Sequence, residues 1–361
     1  MPTPSINGPG FFLLGATHRR TPLAVRERLA LSAESTASLY AALSAHPGLD
    51  ELVILSTCNR VEFYGVADDP TAIAHVEAAW CAHCDFTPAE FGAFRVALTG
   101  RDALQHLFEV AAGLDSQLVG ETEILGQVKS AYTEAHARGS TGPVLNRVFQ
   151  KCLQAAKHAR THTAITAGRV SLAQVAVSLA QAVMGDLASA HVLLLGAGEI
   201  GEQTARAFLD RGTTALTVAG RHRGRTSALA GRLGATALPF AQRAARLAGF
   251  DIVVGSTSAP GTVLSADDVA AAMADRTGRP LILLDLALPR DIDPMAARLS
   301  HVFLYNLDDL AQISTANRAA RAGEVTRARA LLSTKADLLW RTLVRSASAG
   351  RPPSAQGQSA R

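Results

Sequence analysis

The chain has 361 residues, of which 48% are apolar, 18% charged and 5% aromatic, and it carries a net charge of +4. That apolar content builds real cores and excludes a disordered or fibrous chain, while few aromatics and many alanines favour helix-rich α/β architecture over a β-sandwich. The length suits two or three domains, and the four cysteines are too few for a disulfide framework, which fits a reducing cytosol.

In chain order, residues 1–10 are polar and rich in Pro and Gly, with no basic stretch leading an apolar one, so no signal peptide is expected. Residues 11–16 read as a strand and residues 32–45 as a helix. Leu52-Val53-Ile54-Leu55 is an apolar strand that runs into Ser56-Thr57-Cys58-Asn59-Arg60, and a second strand over residues 61–66 follows at once. Cys58 therefore falls on a tight connection, where a scaffold holds a side chain rigidly. Helical patterns dominate residues 102–160. A further helix over residues 170–184 leads into His191-Val192-Leu193-Leu194-Leu195, a buried strand by length and composition. A glycine-rich turn and a helix over residues 202–210 come next. Strands are expected at 215–219, 251–256, 281–286 and 302–305, and their alternation with helices indicates a parallel, doubly wound sheet. Residues 313–344 read as helix, and residues 346–361 as a disordered tail. No run of about 18 apolar residues occurs, so no membrane span is expected. From Asn317 onward nine basic residues stand against only Glu324 and Asp337. Such a segment either meets phosphate or is a solvated helix face.

Gly196-Ala197-Gly198-Glu199-Ile200-Gly201 matches G-x-G-x-x-G between a buried strand and a helix. The first glycine permits the tight turn, the second a close approach to a pyrophosphate, and the third close helix–strand packing. At the end of the next strand, Gly220-Arg221-His222-Arg223 offers no acid for a ribose hydroxyl but clustered arginines, which suits the 2′-phosphate of NADP, with Arg221 first. Cys58 has polar neighbours and an arginine two residues on. A nearby cation favours thiolate, and a thiol beside a nicotinamide suggests thioester chemistry followed by hydride transfer. Cys81-Ala82-His83-Cys84 lacks a second Cys/His pair and reads as structural, and Cys152 as packing, so no metal is expected. His106, alone on a helical run, carries no role on the residues themselves.

The motifs together resemble the glutamyl-tRNA reductase family over nearly the whole chain. They are Thr17-His18-Arg19-Arg20-Thr21-Pro22 with Arg26-Glu27, Ser56 to Arg60, Gly113-Leu114-Asp115-Ser116 with Gly120-Glu121, Ile124 to Lys129, and Asp285 to Ile292. The resemblance implies an α/β protein in three parts: an N-terminal α+β catalytic, glutamyl-tRNA-binding domain (1–160), a Rossmann-like NADP-binding domain with a linker helix (161–312), and a shortened helical dimerisation region with its tail (313–361). It implies that Cys58 attacks the ester of glutamyl-tRNA(Glu) to give a thioester, which NADPH reduces to glutamate-1-semialdehyde, the first step of tetrapyrrole (porphyrin and haem) synthesis by the C5 pathway. His106 matches a histidine beside that cysteine. Thr57, Asn59, Arg60, Ser116, Glu121, Thr122, Glu123 and Gln127 match the lining of the glutamate site, and Gly196, Ala197, Gly198, Glu199, Ile200, Gly201 and Arg221 the NADPH site. Arg60 is suited to hold a carboxylate bidentately. Glu121-Thr122-Glu123 stands where the family commonly has Glu-Pro-Gln, which adds a negative charge at Glu123. Partners implied are charged tRNA(Glu), a second copy in a homodimer and a glutamate-1-semialdehyde aminotransferase, in the cytoplasm. Other readings are a shikimate-dehydrogenase-like NADP oxidoreductase, which the Cys58 and 113–129 motifs oppose, and a non-catalytic paralogue that binds tRNA or regulates the pathway.

Overall fold

The computed structural model describes residues 10–67, 69–118, 120–121, 123–166, 171–276, 278–314 and 322–349. The chain forms two compact units, Met1–Ala167 with Arg321–Arg361, and Gly168–Ala320. The division expected from the sequence lay at residues 160 and 312, with the C-terminal residues set apart. Here the C-terminal helix packs into the first unit instead.

The N-terminal part of the first unit contains β1 (Phe11–Thr17), α1 (Leu23–Leu29), α2 (Ala33–Leu43), β2 (Leu49–Ser56), β3 (Arg60–Ala67), α3 (Pro70–His83), α4 (Pro88–Phe91), β4 (Arg95–Thr99), α5 (Gly100–Ala112), α6 (Glu123–Ala137) and α7 (Pro143–His162). The strands form an antiparallel sheet in the order β2-β3-β1-β4. Successive strand residues face opposite sides. On β3, Phe63 packs against Trp80 of α3, while Tyr64 meets Phe149 of α7 edge-on. Helices therefore cover both faces, and the odd-numbered face of β3 is not the one that carries Arg60, Glu62 and Tyr64. β4 has no apolar run because it is an edge strand with alternate residues exposed, so hydrophobic pattern alone does not reveal it.

The second unit contains α8 (Leu172–Met184), β5 (His191–Leu195), α9 (Glu199–Asp210), β6 (Ala215–Gly220), α10 (Arg223–Leu233), β7 (Thr236–Pro239), β8 (Ile252–Gly255), α11 (Ala266–Ala274), β9 (Leu281–Asp285), β10 (Val302–Asn306) and α12 (Leu307–Ser314). All strands are parallel in the order β10-β9-β8-β5-β6-β7. Counted from β5 this is the 3-2-1-4-5-6 arrangement of doubly wound dinucleotide-binding sheets. The apolar β5, β8 and β9 lie at its centre, and the mostly exposed β7 at its edge. Helix α9 starts at Glu199 rather than 202, because the glycine turn leads directly into its first turn.

The last element, α13 (Ala322–Ala349), extends beyond residue 346, where a disordered tail was expected; residues 350–361 lie outside the described residues. It lies against α5 and α7, and its Ala328, Leu332, Ala336, Leu339 and Leu343 join the first core. Arg101 of α5 ties it down through Asp337 at 2.8 Å and Ser333 at 2.6 Å. Among the described residues no helix is long and apolar enough to cross a membrane.

Candidate active site

Cys58 sits at the tip of the β2–β3 hairpin. Thr57 shapes the tip: its Oγ1 accepts from the backbone N–H groups of Asn59 at 3.1 Å and Arg60 at 3.2 Å. Arg26, only 4% exposed, reaches across from α1 and donates to the Cys58 carbonyl at 3.1 Å and to Asn59 Oδ1 at 3.0 Å. The His18 N–H donates to the Asn59 carbonyl at 2.8 Å. The hairpin is thus fixed by neighbours of the β1 end, and Cys58 keeps partial exposure.

The sequence suggested that an adjacent arginine would favour thiolate, and the geometry reverses this. Burial, then the charge of Glu121, push the Cys58 thiol up to about 12; Glu123 adds to the rise and Arg26 opposes it. The Sγ is desolvated even though the residue retains some surface. Arg60 does not reach this thiol. Its guanidinium is 1% exposed and committed to Glu62 at 2.8 Å and to the Asp115 carboxylate at 3.0 Å and carbonyl at 2.7 Å. Holding a substrate carboxylate would mean breaking those pairs.

Glu62 is the centre of this network and was not singled out from the sequence. Its fully buried carboxylate accepts from Arg60, from Tyr64 Oη at 2.6 Å, and bonds His106 Nε2 at 2.7 Å. Burial alone would raise its carboxyl; the charges of Arg60 and His106, with hydrogen bonds from His106 and Tyr64, hold it at about 2. His106, on α5, is therefore joined to the Cys58 hairpin through Glu62 and Arg60. Asp115 extends the chain outward to Arg19. The available cue was the strand period: Arg60, Glu62 and Tyr64 are two apart and share one face of β3.

Ser116 and Glu121 flank this network on the loop after α5. Gly113 opens the loop at φ +81, where a Cβ would stand 2.8 Å from the Glu121 carbonyl, so a side chain is excluded there. Arg160, from the end of α7, donates to the carbonyls of Ala111 at 3.2 Å and Glu121 at 2.8 Å. Burial raises the Glu121 carboxyl, with Ser116, Arg60 and Arg160 pulling the other way. Ser116 Oγ is near enough to affect that charge but has no partner at hydrogen-bond geometry among the described residues, although the residue is 2% exposed. Thr122 lies outside the described residues. Glu123 begins α6, where a carboxylate favours the helix dipole, and Gln127 follows one turn later on the same side. The extra charge of Glu123 thus has a local structural benefit, and the same charge raises the thiol.

Cys81 and Cys84 are buried, Cys152 contacts the Leu107 carbonyl at 3.5 Å inside the core, and no metal-ligand cluster occurs among the described residues.

In the second unit, Gly196 adopts φ +105, and a Cβ there would lie 2.6 Å from the Ser256 carbonyl. A Cβ on Gly201 would run into Ser256 Oγ and Leu194. Gly198, by contrast, has no close neighbour within its own unit apart from Ser256 at 3.9 Å, and it stands at the N-cap of α9 with no side chain capping it. Ala197, Glu199 and Ile200 complete this turn. The helix N-terminus is therefore open to a phosphate, as a dinucleotide requires. Arg221 is exposed at the end of β6 and its charge bears on Asp291. Beyond β9, Asp285 accepts from the N–H groups of Ala287, Asp291 and Ile292, and Asp291 accepts from the Thr257 N–H and hydroxyl. Burial, offset by hydrogen bonds from the Ile292, Asp291 and Ala287 N–H groups and reinforced by Asp291, raises the Asp285 carboxyl to about 7. These carboxylates brace the crevice at the carboxyl ends of β8 and β9.

Residues 14–163 match the family described as glutamyl-tRNAGlu reductase, N-terminal domain, and residues 178–313 match shikimate / quinate 5-dehydrogenase. Glutamyl-tRNA reductase of Desulfotalea psychrophila is 39% identical over 317 residues, 88% of this chain and 74% of that protein. The protein of the same name from Deinococcus radiodurans is also 39% identical, over 89% of each. The solved glutamyl-tRNA reductase from Methanopyrus kandleri is 32% identical, covers 92% of this chain and 80% of its own, and superposes with a TM-score of 0.50. The chain belongs to the glutamyl-tRNA reductase family.

Proposed function

We propose that the chain reduces the glutamyl group of glutamyl-tRNA(Glu) to glutamate-1-semialdehyde with NADPH, by way of a thioester on Cys58. The observation that carries this reading is Cys58 at a rigid hairpin tip, partly exposed and ringed by polar side chains, in a chain with a glycine turn fit for a dinucleotide. The sulfur attacks the ester carbonyl, a C–S bond forms, and the C–O bond to the tRNA ribose breaks. The thiol is neutral in the free chain, so its proton must leave as the bond forms. Glu121, whose proton affinity is raised by burial and whose charge acts on the thiol, is the base we assign. That proton then serves the departing ribose hydroxyl. Thr57, Asn59 and the Ser116–Gln127 segment hold the glutamyl group, and Arg60 acts by fixing Asp115 and Glu62 around it. Glu62 keeps His106 in one orientation with Nε2 engaged. The 196–201 turn would hold the pyrophosphate of NADPH and Arg221 its 2′-phosphate; such a dinucleotide would supply the hydride for reduction of the thioester to the aldehyde, with the sulfur of Cys58 as leaving group. A homodimer, and delivery of the reactive aldehyde to an aminotransferase, belong to the same proposal.

The test is incubation with glutamyl-tRNA with and without NADPH. Aldehyde is expected with NADPH, and a Cys58 thioester that slowly hydrolyses without it. Cys58→Ala is expected to give neither. Equal turnover with NADH would remove the Arg221 assignment, and a folded chain that binds tRNA but yields neither product would favour the non-catalytic reading.

A further inference from the structure

Helix α7 carries Arg147, Lys151, Lys157, His158, Arg160 and His162 and no acidic residue. Arg160 turns inward to the loop carbonyls. At about 100° per residue, Arg147, Lys151, His158 and His162 fall in one sector about 60° wide, on the flank next to the buried Val148, Cys152, Ala155 and Ala159, with Arg147 and Lys151 exposed. Lys157 stands on the flank nearer Arg160. Lys335 of α13 adds its charge beside His158, whose ring stacks on His162 at 3.9 Å. Partial burial, then Lys335 and His162, hold His158 below its ordinary pKa, and its Nδ1 is buried without a hydrogen-bond partner among the described residues. Among the described residues, none of Arg147, Lys151, Lys157 and Lys335 makes an ion pair. A helix kept only for solubility alternates signs, as α6 does with Glu134 and Arg138, and α9 with Glu202 and Arg206.

The start of this helix is fastened to the strand that leads to the Cys58 hairpin, and its end to the loop of Glu121. Glu51 on β2, the strand that ends at the hairpin, accepts from the N–H groups of Gly142, Val144 and Leu145 at 2.8, 3.0 and 2.7 Å. Arg160 secures the other end to the loop of Glu121. The exposed residues between (Arg147, Gln150, Lys151, Gln154, Lys157 and Thr161) are all polar. The surface therefore lacks the aromatic or aliphatic anchors of a protein interface and the apolar face of a membrane helix.

We propose that this face of α7, with Lys335, binds the phosphodiester backbone of the substrate RNA outside the Cys58 site. The inference rests on the reading that the substrate is an aminoacyl-RNA. Cations about 6 Å apart along a helix suit successive phosphates, which position a nucleic acid without reading its sequence.

The test compares the wild type with Arg147→Glu/Lys151→Glu/Lys157→Glu and with the milder Arg147→Gln/Lys151→Gln/Lys157→Gln. Uncharged, transcribed tRNA is the probe, titrated by anisotropy between 50 and 200 mM salt, and KM for glutamyl-tRNA is measured alongside. The reversed variant is expected to weaken binding by about tenfold or more and to flatten the salt dependence by about one for each phosphate no longer neutralised. The neutral variant shifts the same way by less. Melting temperature and kcat at saturation stay unchanged, because all three positions are exposed. Unchanged affinity and salt slope in both variants overturn the proposal. So does a wild type that binds phosphatidylserine vesicles or polyglutamate through these residues but not tRNA. Binding of uncharged tRNA needs no chemistry, so a chain that binds tRNA through this face yet makes no aldehyde removes the reductase reading and leaves this one.

Discussion

The Cys58 hairpin and the Gly196–Gly201 turn both stand at the exit of a buried strand, yet they hold their positions by opposite means. The hairpin is held by side-chain charge: Arg26 clasps the tip, and Arg60, Glu62, Asp115 and His106 form a buried chain behind it. The glycine turn is held by backbone: Gly196 N–H donates to the Ala219 carbonyl at 2.8 Å, and missing side chains let the turn lie against Ser256. A site made of charges depends on every partner being present, since one unpaired buried ion is costly. A site made of backbone depends on space, and loses ligand before it loses fold. The difference fits two tasks. In the proposed reaction the first would bring a thiol, an ester and a proton acceptor together, and the second would present amide N–H groups to a phosphate.

Removing one charge is the strongest way to break the comparison. Glu62→Ala leaves Arg60 buried without its main partner, and is expected to destabilise the first unit by about 3–5 kcal/mol, read as a lowered denaturant midpoint. Glu62→Gln should be milder but still leave His106 misoriented, so kcat falls more than KM rises. If Glu62→Ala melts like the wild type, the hairpin does not depend on its buried charges.

Next in size is the response of Cys58 to pH. With the thiol pushed up to about 12, its ionised fraction rises about tenfold per pH unit well past pH 9, whereas an ordinary thiol near 8.5 levels off there. Alkylation of Cys58 by iodoacetamide, followed by mass spectrometry from pH 7 to 10, should climb without a plateau. A plateau near neutrality would mean that Arg26 outweighs burial and the charges of Glu121 and Glu123. A smaller effect is expected in the second unit. Gly198→Ala places a methyl group in open space with ordinary φ, so stability should stay within about 1 kcal/mol. NADPH affinity should fall by about tenfold or more, as the methyl group keeps the pyrophosphate from the α9 N-terminus. Tight binding together with lost stability would contradict a backbone-built site.

The same contrast accounts for what the sequence made legible. The glycine turn is local: strand, glycines and helix follow one another, and each residue's role derives from backbone geometry. The doubly wound sheet was legible for the same reason, since its central strands are short apolar runs. The hairpin was legible as a place, because an apolar strand ends at Cys58, but not as chemistry. Arg60 stands two residues from the thiol in sequence and turns away from it toward Glu62 on the same strand face. The groups that do set the thiol, Glu121 and Arg26, are remote in sequence and meet it only through the fold. Glu51 shows the same gap, since nothing near it predicts that it caps a helix beginning more than 90 residues later. The edge strands β4 and β7 escaped because exposed edges carry no apolar run.

The smallest expected effect is also the most discriminating, because stability and function should move apart. Ser116 Oγ is buried without a hydrogen-bond partner among the described residues, and an unsatisfied buried hydroxyl costs about 1–3 kcal/mol. Ser116→Ala removes that atom together with its modest pull on the buried Glu121 carboxyl. The variant should therefore be as stable as the wild type or up to about 1 kcal/mol more stable. If the hydroxyl is kept for the glutamyl group, KM should rise several-fold while the Cys58 alkylation profile stays nearly fixed, because Ser116 does not bear directly on the thiol. A variant that is destabilised with unchanged KM would show the hydroxyl to be a structural donor inside the loop. Among the groups around Cys58 it would then be one more member of the charge network, and the substrate would have to be held by Thr57, Asn59 and the α6 end alone.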